Sequence, residues 1–286
     1  MSKIGLILEG GGMRGAYTAG CLAWFVDHNI EFDYSLGISS GAVYLASYWL
    51  KNKTFLDKIS TEYLASSDFV GLQPLLSEGA LVGYKTLMSR VVDELGFDTA
   101  PVRDNHLPME FGVYNMNKQV TEYYDSSYLD DDLTMLRAAC TLPIAGRIVE
   151  YEGKRFLDGG ITKMVPIDRS IEMGCDKHFV IMTKPYGYVR KPGGFWMNVL
   201  MKLNYFSYNT MCKDYSIRHL NYADQVAQVE KLQEEGKAIV MRPSRTIAVS
   251  RFSGDPEKLK ELYALGYQDM EDKKEEILKF MKKEAE

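Results

Sequence analysis

Short apolar segments alternate with longer helical patterns from the beginning of the chain. Residues 4–9 and 33–38 are brief and largely apolar, whereas residues 16–27 and 42–50 carry small and apolar side chains at helical spacing. A strand–helix–strand–helix order is typical of α/β proteins, in which the strands run parallel. The pattern therefore predicts an α/β fold with a mostly parallel central sheet that is flanked by helices.

The rest of the chain continues with further helical and strand-like segments. The predicted helices occupy residues 54–67, 84–95, 133–140, 210–236, a segment from Asp255 to near Gly266, and 271–286. The predicted strands occupy residues 109–114, 119–124, 147–151, 154–157, 177–183, 238–241 and 246–249. Proline and glycine are concentrated in residues 184–194, which favours a linker there. We therefore expect a catalytic core in residues 1–183 and a mostly helical extension in residues 184–286 that packs on it.

Residues 194–208 form an apolar segment rich in methionine and aromatic side chains. One interpretation, which we favour, is a helix packed on the core. The other is a lid or a helix that lies on a membrane surface. Basic residues that flank the segment support this second interpretation: Lys184, Arg190, Lys191 and Lys202.

Composition excludes several classes of protein. The chain has 286 residues and a net charge of −5, which argues against a dedicated nucleic-acid binder. Its four cysteines are far apart, so neither a metal site nor a disulfide framework is indicated. The pattern of a signal peptide is missing, and no apolar run is long enough to span a membrane. We expect a cytoplasmic protein.

Residues 37–41 read Gly-Ile-Ser-Ser-Gly and match the pattern G-x-S-x-G. Between a strand and a helix, this pattern forms a sharp turn that exposes its central serine, here Ser39. The flanking Gly37 and Gly41 are needed because a β-carbon would collide with the neighbouring strand and helix. The alternative is an ordinary serine at the start of a buried helix. The strand–turn–helix context favours a nucleophilic Ser39.

A second glycine-rich turn follows the first predicted strand. A dinucleotide-binding turn of this type requires an acidic residue at the end of the second strand, and none is present there. We favour an oxyanion hole, in which peptide N–H groups of the loop face a developing negative charge. Arg14 could help to hold an anion. The loop contains Gly10, Gly11, Gly12, Met13, Arg14 and Gly15.

A serine nucleophile requires a base. Asp158 ends a predicted strand, and the following Gly159 and Gly160 leave one side open to approach. An Asp-Gly pair more often forms a plain turn, but its place at a strand end in this chain favours a role in catalysis. His178 or His219 could complete a Ser–His–Asp arrangement, although neither lies in a glycine-rich loop.

The glycine loop, the serine turn and Asp158-Gly159-Gly160, in this order, resemble the patatin-like phospholipase family. Residues 138–143 and Val165-Pro166 are similar to that family as well, and residues 242–270 resemble the C-terminal extension of a bacterial branch. Met164 departs from the pattern, because the family often has asparagine two residues before this proline.

The resemblance implies a three-layer patatin-like fold and a lipid acyl hydrolase of the phospholipase A or lysophospholipase type. It implies that Ser39 is the nucleophile, Asp158 the general base and the glycine loop the oxyanion hole, with no metal or organic cofactor. The expected partners are a lipid or acyl-ester substrate and, peripherally, the inner membrane face, with no nucleic acid. The alternative is a nucleotide-binding or regulatory module with a vestigial hydrolase site.

Overall fold

The computed structural model describes residues 2–65, 67–250 and 255–282. Within these residues, eight strands form one sheet. The strands are β1 (Ile4–Leu8), β2 (Tyr34–Ile38), β3 (Met109–Asn115), β4 (Val120–Asp125), β5 (Val149–Tyr151), β6 (Lys154–Asp158), β7 (Lys177–Ile181) and β8 (Ala238–Met241).

The middle of the sheet is parallel and one side is antiparallel. β3, β2, β1, β7 and β8 are neighbours in this order, and each pair among them runs parallel. β4 and β6 pair antiparallel with β3, and β5 pairs antiparallel with β6. The predicted mostly parallel sheet is confirmed. Its edge strand β8 comes from residues 184–286, the predicted helical extension.

Helices connect and cover the strands. They are α1 (Ala16–Asp27), α2 (Ser40–Trp49), α3 (Lys53–Lys58), α4 (Leu72–Ser77), α5 (Tyr84–Leu95), α6 (Ala100–Asp104), α7 (Thr134–Cys140), α8 (Ile167–Glu172), α9 (Phe195–Asn204), α10 (Asn209–Ser216), α11 (Arg218–Glu234), α12 (Pro256–Asp272) and α13 (Lys274–Met281).

Alternate residues of the central strands face two separate cores. Leu6, Leu8 and Phe179 belong to the larger core, together with buried side chains of α1, α2, α7 and α12. Ile7 and Val180 face the opposite side, where they pack with residues of α8 and α11. Because side chains of a strand alternate between its two faces, the sheet forms the middle of three layers.

Several sequence-based assignments are wrong. The predicted helix 54–67 is α-helical only as far as Lys58 and continues as a π-helix, Ile59–Tyr63. The predicted helix 210–236 is broken at Ile217 into α10 and α11. The predicted strand 246–249 is irregular, because the Val249 N–H donates to the Ile247 carbonyl in a local turn instead of to a neighbouring strand. The helix expected to end near Gly266 continues to Asp272. Residues 283–286 of the predicted final helix lie outside the described residues.

Gly266 lies inside α12 because α12 and α1 are packed very closely there. A β-carbon at Gly266 would stand 2.1 Å from the Tyr17 carbonyl oxygen, and one at Gly20 would stand 1.9 Å from that of Tyr263. Two glycines on facing helices therefore let the backbones approach, and this contact outweighs the weak helix propensity of glycine.

Gly266→Ala is expected to lower the free energy of unfolding by about 1–3 kcal/mol, because α1 and α12 must separate to admit the methyl group. Urea denaturation measures the change. The control is Gly194→Ala, since no described atom lies within 4 Å of a β-carbon at Gly194. Wild-type stability in Gly266→Ala would contradict the close contact of these helices.

Helix α9 is more exposed than the favoured interpretation of residues 194–208 predicted. Within the helix only Met201 is buried, and Tyr205 is buried just after it. Trp196, Leu203 and Phe206 are 76%, 68% and 77% exposed. Packing on the core therefore involves one narrow side of this segment. None of the helices in the described part of the chain is both long and apolar enough to cross a membrane.

Candidate active site

Ser39 occupies the sharp turn between β2 and α2. Its backbone has φ 55° and ψ −130°, a conformation that residues other than glycine rarely adopt. Such strain is characteristic of a serine held at the tip of a strand–turn–helix elbow. α2 begins at the next residue, Ser40, so the first N–H groups of the helix are directed toward the turn.

The two glycines that flank Ser39 are required by close packing. A β-carbon at Gly37 would stand 2.5 Å from the Gly41 carbonyl oxygen. One at Gly41 would stand 2.9 Å from the Leu8 carbonyl oxygen. The pattern Gly-x-Ser-x-Gly therefore reflects a turn in which β2, α2 and β1 are in direct contact.

The glycine loop lies against this turn at the end of β1. A β-carbon at Gly10 would stand 3.0 Å from the Ser39 β-carbon. Two of the loop amides are engaged: the Gly10 N–H donates to the Met164 carbonyl at 3.3 Å, and the Gly11 N–H donates to Ser40 Oγ at 3.2 Å. A short 3₁₀ helix, Gly12–Gly15, follows.

Asp158 is brought toward Ser39 by pairing on β3. β4 takes one edge of β3, so β2 and β6 share the other edge. The last residue of β2, Ile38, pairs with Gly112, and the last residue of β6, Asp158, pairs with Val113. Because Gly112 and Val113 are consecutive, the C-terminal ends of β2 and β6 meet head to head.

Asp158 is almost completely buried, and its carboxylate caps the turn that follows it. Its Oδ1 accepts the Gly160 N–H at 2.6 Å, and Gly159 and Gly160 begin a short 3₁₀ helix. Gly159 lies against β3, since a β-carbon there would stand 2.6 Å from the Gly112 carbonyl oxygen. The turn therefore fixes one carboxylate oxygen.

Ser39, Asp158 and the loop residues Gly10–Met13 line the same cavity. The rest of its wall is largely apolar and is contributed by α2, α5 and the segments near them. This wall includes Val43, Tyr44, Phe69, Leu87, Val91 and Leu142. An apolar cavity that contains a few converging polar groups is suited to an amphiphilic ligand.

A buried ion pair supports the glycine loop from behind. Glu9 directly precedes the loop and is fully buried. It accepts hydrogen bonds from Lys184 Nζ and from the N–H and hydroxyl of Thr183, at 2.5 Å and 2.9 Å for the latter two. Lys184 is also buried and lines the cavity. This lysine is therefore not the exposed flanking cation expected from the sequence.

Burial and charge act in opposite directions on this pair. Burial lowers the pKa of Lys184 to about 8, although the Glu9 carboxylate opposes this change. Burial alone would raise the pKa of Glu9, but attraction and hydrogen bonds from Lys184 and Thr183 outweigh it, so the pKa is lowered. Both groups are therefore charged at neutral pH.

The other sequence candidates lie around this centre. Arg14 is half-buried in the 3₁₀ helix, and its charge contributes to the lowered pKa of Lys184. Gly15 lies against Tyr44 of α2. Among the described residues that line the cavity there is no histidine. His178 pairs with Gly5 in the first half of β1 and contacts Ser170 Oγ at 3.0 Å, which argues against a Ser–His–Asp arrangement.

Several residues at the site were not predicted from the sequence. Glu9 follows β1 and Lys184 follows β7, and these two strands are adjacent and parallel. Opposite charges after two buried strands are a signal from which this ion pair could have been predicted. Arg218 and Gln225 of α11 contact the turn after Asp158. They lie in a polar helical pattern that carries no comparable signal.

The fold and the cavity define a protein in which a serine with a strained backbone and a buried aspartate lie at the ends of two strands of one sheet. A family model described as patatin-like phospholipase matches residues 6–171, which include the glycine loop, the elbow and Asp158. The chain therefore belongs to the patatin-like phospholipase family. A second model, a domain of unknown function (DUF6363), matches residues 208–282.

Individual relatives are distant. The chain is 28% identical to the uncharacterized protein YjjU of Escherichia coli over 191 residues, 64% of this chain and 52% of YjjU. It is 24% identical to lysophospholipase nte1 of Aspergillus niger over 286 residues and 27% identical to lysophospholipase NTE1 of Candida glabrata over 283 residues. These alignments cover 93% and 92% of this chain.

The chain spans about half the length of YjjU, and only 18% and 15% of the two lysophospholipases. Among solved structures, VipD from Legionella pneumophila superposes with a TM-score of 0.41 and 11% identity, over 95% of this chain and 66% of VipD.

Proposed function

We propose that the chain is a lipid acyl hydrolase that uses Ser39 as nucleophile and Asp158 as general base. The main support is the pairing on β3, through which the ends of β2 and β6 meet at one cavity. The family match and the lysophospholipase names of two relatives agree with this chemistry.

In the first step, Asp158 accepts the proton of the Ser39 hydroxyl while Ser39 Oγ attacks the ester carbonyl carbon. The carbonyl oxygen becomes an oxyanion, which peptide N–H groups stabilise. We assign this role to the amides of Gly12 and Met13, with that of Ser40. The Gly10 and Gly11 amides donate to the Met164 carbonyl and to Ser40 Oγ, so their part is to anchor the loop, and the sequence-based assignment of Gly11 as an oxyanion donor is not kept.

The tetrahedral intermediate then collapses, and the C–O bond to the alcohol breaks. The proton held by Asp158 passes to the leaving alcohol, and an acyl-Ser39 ester remains. Water then gives a proton to Asp158 and attacks this ester. Collapse of the second intermediate returns the proton to Ser39 and releases the fatty acid.

The apolar wall of the cavity fits the acyl chain of such a substrate. Val43 and Tyr44 adjoin the serine turn on α2, and Leu87 and Val91 follow on α5. Burying an alkyl chain against these side chains gives roughly 0.8 kcal/mol per methylene group. We therefore infer that esters with longer acyl chains have lower KM values than short ones.

The direct test of this function is release of fatty acid from a 1-acyl lysophospholipid, alongside turnover of nitrophenyl esters of increasing chain length. We expect the wild-type chain to hydrolyse both classes of ester. The vestigial-site alternative predicts no hydrolysis, together with a raised melting temperature in the presence of ATP or NAD. That pair of results would contradict the proposed function.

We also propose that α9 contacts the surface of an anionic membrane. Trp196, Leu200 and Leu203 lie at positions i, i+4 and i+7 and are all exposed, so they form one apolar face. Lys191 precedes the helix and Lys202 lies on it, which complements negatively charged headgroups. Arg190, which lies in the linker that leads into this helix, lines the cavity.

The variant Trp196→Ser/Leu203→Ser is expected to reduce co-sedimentation with phosphatidylglycerol-containing vesicles by about tenfold, because it removes two large apolar side chains from the proposed contact. The matched control is Ile171→Ser/Leu278→Ser, which removes exposed apolar residues from α8 and α13. Equal binding of both variants and the wild type would exclude α9 as the contact.

A further inference from the structure

Helix α11, which lies within the domain of unknown function, directs two buried polar side chains to the loop after Asp158. Arg218 is the first residue of the helix, and its Nε–H donates to the Gly160 carbonyl at 2.8 Å. Gln225 lies two turns further on the same face. Both side chains are more than nine-tenths buried.

Gln225 satisfies three backbone groups with one amide. Its Oε1 accepts the N–H groups of Met164 and Val165, both at 2.9 Å, and its Nε2 donates to the Thr162 carbonyl at 2.8 Å. A side chain that both donates and accepts is needed for this set, which restricts the position to glutamine in practice. Loss of the amide would leave buried backbone groups without partners.

The same segment also holds the glycine loop. The Met164 carbonyl accepts the Gly10 N–H, while the Met164 N–H donates to Gln225. Gln225 is thus connected through Met164 to the loop that contains the proposed oxyanion amides. Arg218 reaches the other end of the segment, next to Asp158: Asp158 Oδ1 and Arg218 Nη2 both lie within 4 Å of the position that a Gly160 β-carbon would take.

We propose that α11 is a positioning element of the active site, in which Arg218 and Gln225 hold residues 159–165 so that Asp158 and the glycine loop face Ser39. This inference rests on the proposed function. It assigns a role to the domain of unknown function: its first long helix completes the catalytic centre of the patatin-like domain.

The first test compares Gln225→Met and Arg218→Gln with the wild type in ester hydrolysis. Misplacing a catalytic group by about 1 Å can cost on the order of a hundredfold in rate. We therefore expect kcat to fall about 10- to 100-fold in each variant while KM stays within twofold. Arg218→Lys, which keeps a charged donor, is expected to recover part of the lost kcat.

Matched controls on the same helix are Gln228→Met and Lys231→Gln, whose side chains are exposed. Both are expected to retain wild-type kcat and KM. Assays are run well below the melting temperature of each variant. If Gln225→Met does not fold, loss of the Arg218–Gly160 hydrogen bond in Arg218→Gln, together with the partial recovery in Arg218→Lys, decides the question.

The second test is hydrogen–deuterium exchange, which does not depend on turnover. Gln225→Met is expected to accelerate exchange of the Met164, Val165 and Gly10 amides, and Gln228→Met is not. Unchanged kcat in both α11 variants, a change confined to KM, or unchanged exchange at these amides would overturn the positioning role. Absence of ester hydrolysis by the wild type would instead overturn the proposed function, and the exchange result would still test the contact.

Discussion

Replacing Ser39 by alanine is expected to lower kcat/KM for ester hydrolysis by roughly 10⁴-fold or more, because the reaction then has no nucleophile. The fold should be retained, since the Ser39 side chain is partly exposed at the tip of the turn. Relief of the unusual backbone angles is not expected from alanine, which has the same β-carbon as serine. Steady-state kinetics with a nitrophenyl ester measures the effect.

Asp158→Asn is expected to cause a loss of similar size, because an amide cannot accept the Ser39 proton. Asparagine keeps an oxygen that can accept the Gly160 N–H, so the turn after Asp158 is preserved. The matched controls are Ser47→Ala, whose hydroxyl bonds to Val43 within α2, and Asp125→Asn, which caps a turn at the end of β4. Controls that lost as much activity as the two site variants would show that the effect is not specific to the site.

Lys184→Met is expected to lower the free energy of unfolding by about 3–5 kcal/mol, which is the cost of leaving a buried charge without its partner. The partner is Glu9, which is fully buried and whose carboxylate forms an ion pair with the Lys184 ammonium group. Methionine has a similar volume, so loss of packing contributes little. Chemical denaturation at neutral pH measures the change.

The double variant Glu9→Gln/Lys184→Met tests the cause of this loss. With both charges removed, most of the lost stability should return, because no unpaired charge remains in the core. Lys237→Met is the matched control, since Lys237 pairs with Glu235 at an exposed position, where ion pairs contribute little. A double variant as unstable as Lys184→Met alone would contradict the ion-pair explanation.

The central part of the fold and the candidate residues could be predicted because their signals are local. Alternation of apolar strands and helices predicted the parallel sheet, and α1 and α5 have the predicted bounds. Gly37 and Gly41 marked a turn whose close contacts exclude a β-carbon. Each of these features leaves a recognisable pattern in residues that are near one another in sequence.

The features that could not be predicted depend on contacts between distant parts of the chain. Gly266 was taken as a helix end, but its role is to admit α1, about 240 residues earlier in the sequence. The pairing of Glu9 with Lys184 and the contacts of Gln225 with Met164 join residues from separate segments. A single sequence shows a polar residue at each position, but it does not show which residue lies opposite.

Exposure of α9 was expected only under the second interpretation of residues 194–208, because an apolar pattern identifies a surface that avoids water but not what covers it. Trp196 and Phe206 are aromatic residues of the kind that usually fill a core, yet both are about three-quarters exposed. Their neighbours on the core side, Met201 and Tyr205, carry the same apolar signal. Only the folded structure separates the two sets.

The identity of the reactive hydroxyl group is tested most directly by mass spectrometry of a covalent fluorophosphonate adduct. We predict one adduct per chain, located on the peptide that contains Ser39, which disappears in Ser39→Ala and forms more slowly in Asp158→Asn. A stable adduct on another residue, or undiminished labelling of Ser39→Ala, would contradict the assignment of Ser39 as the nucleophile.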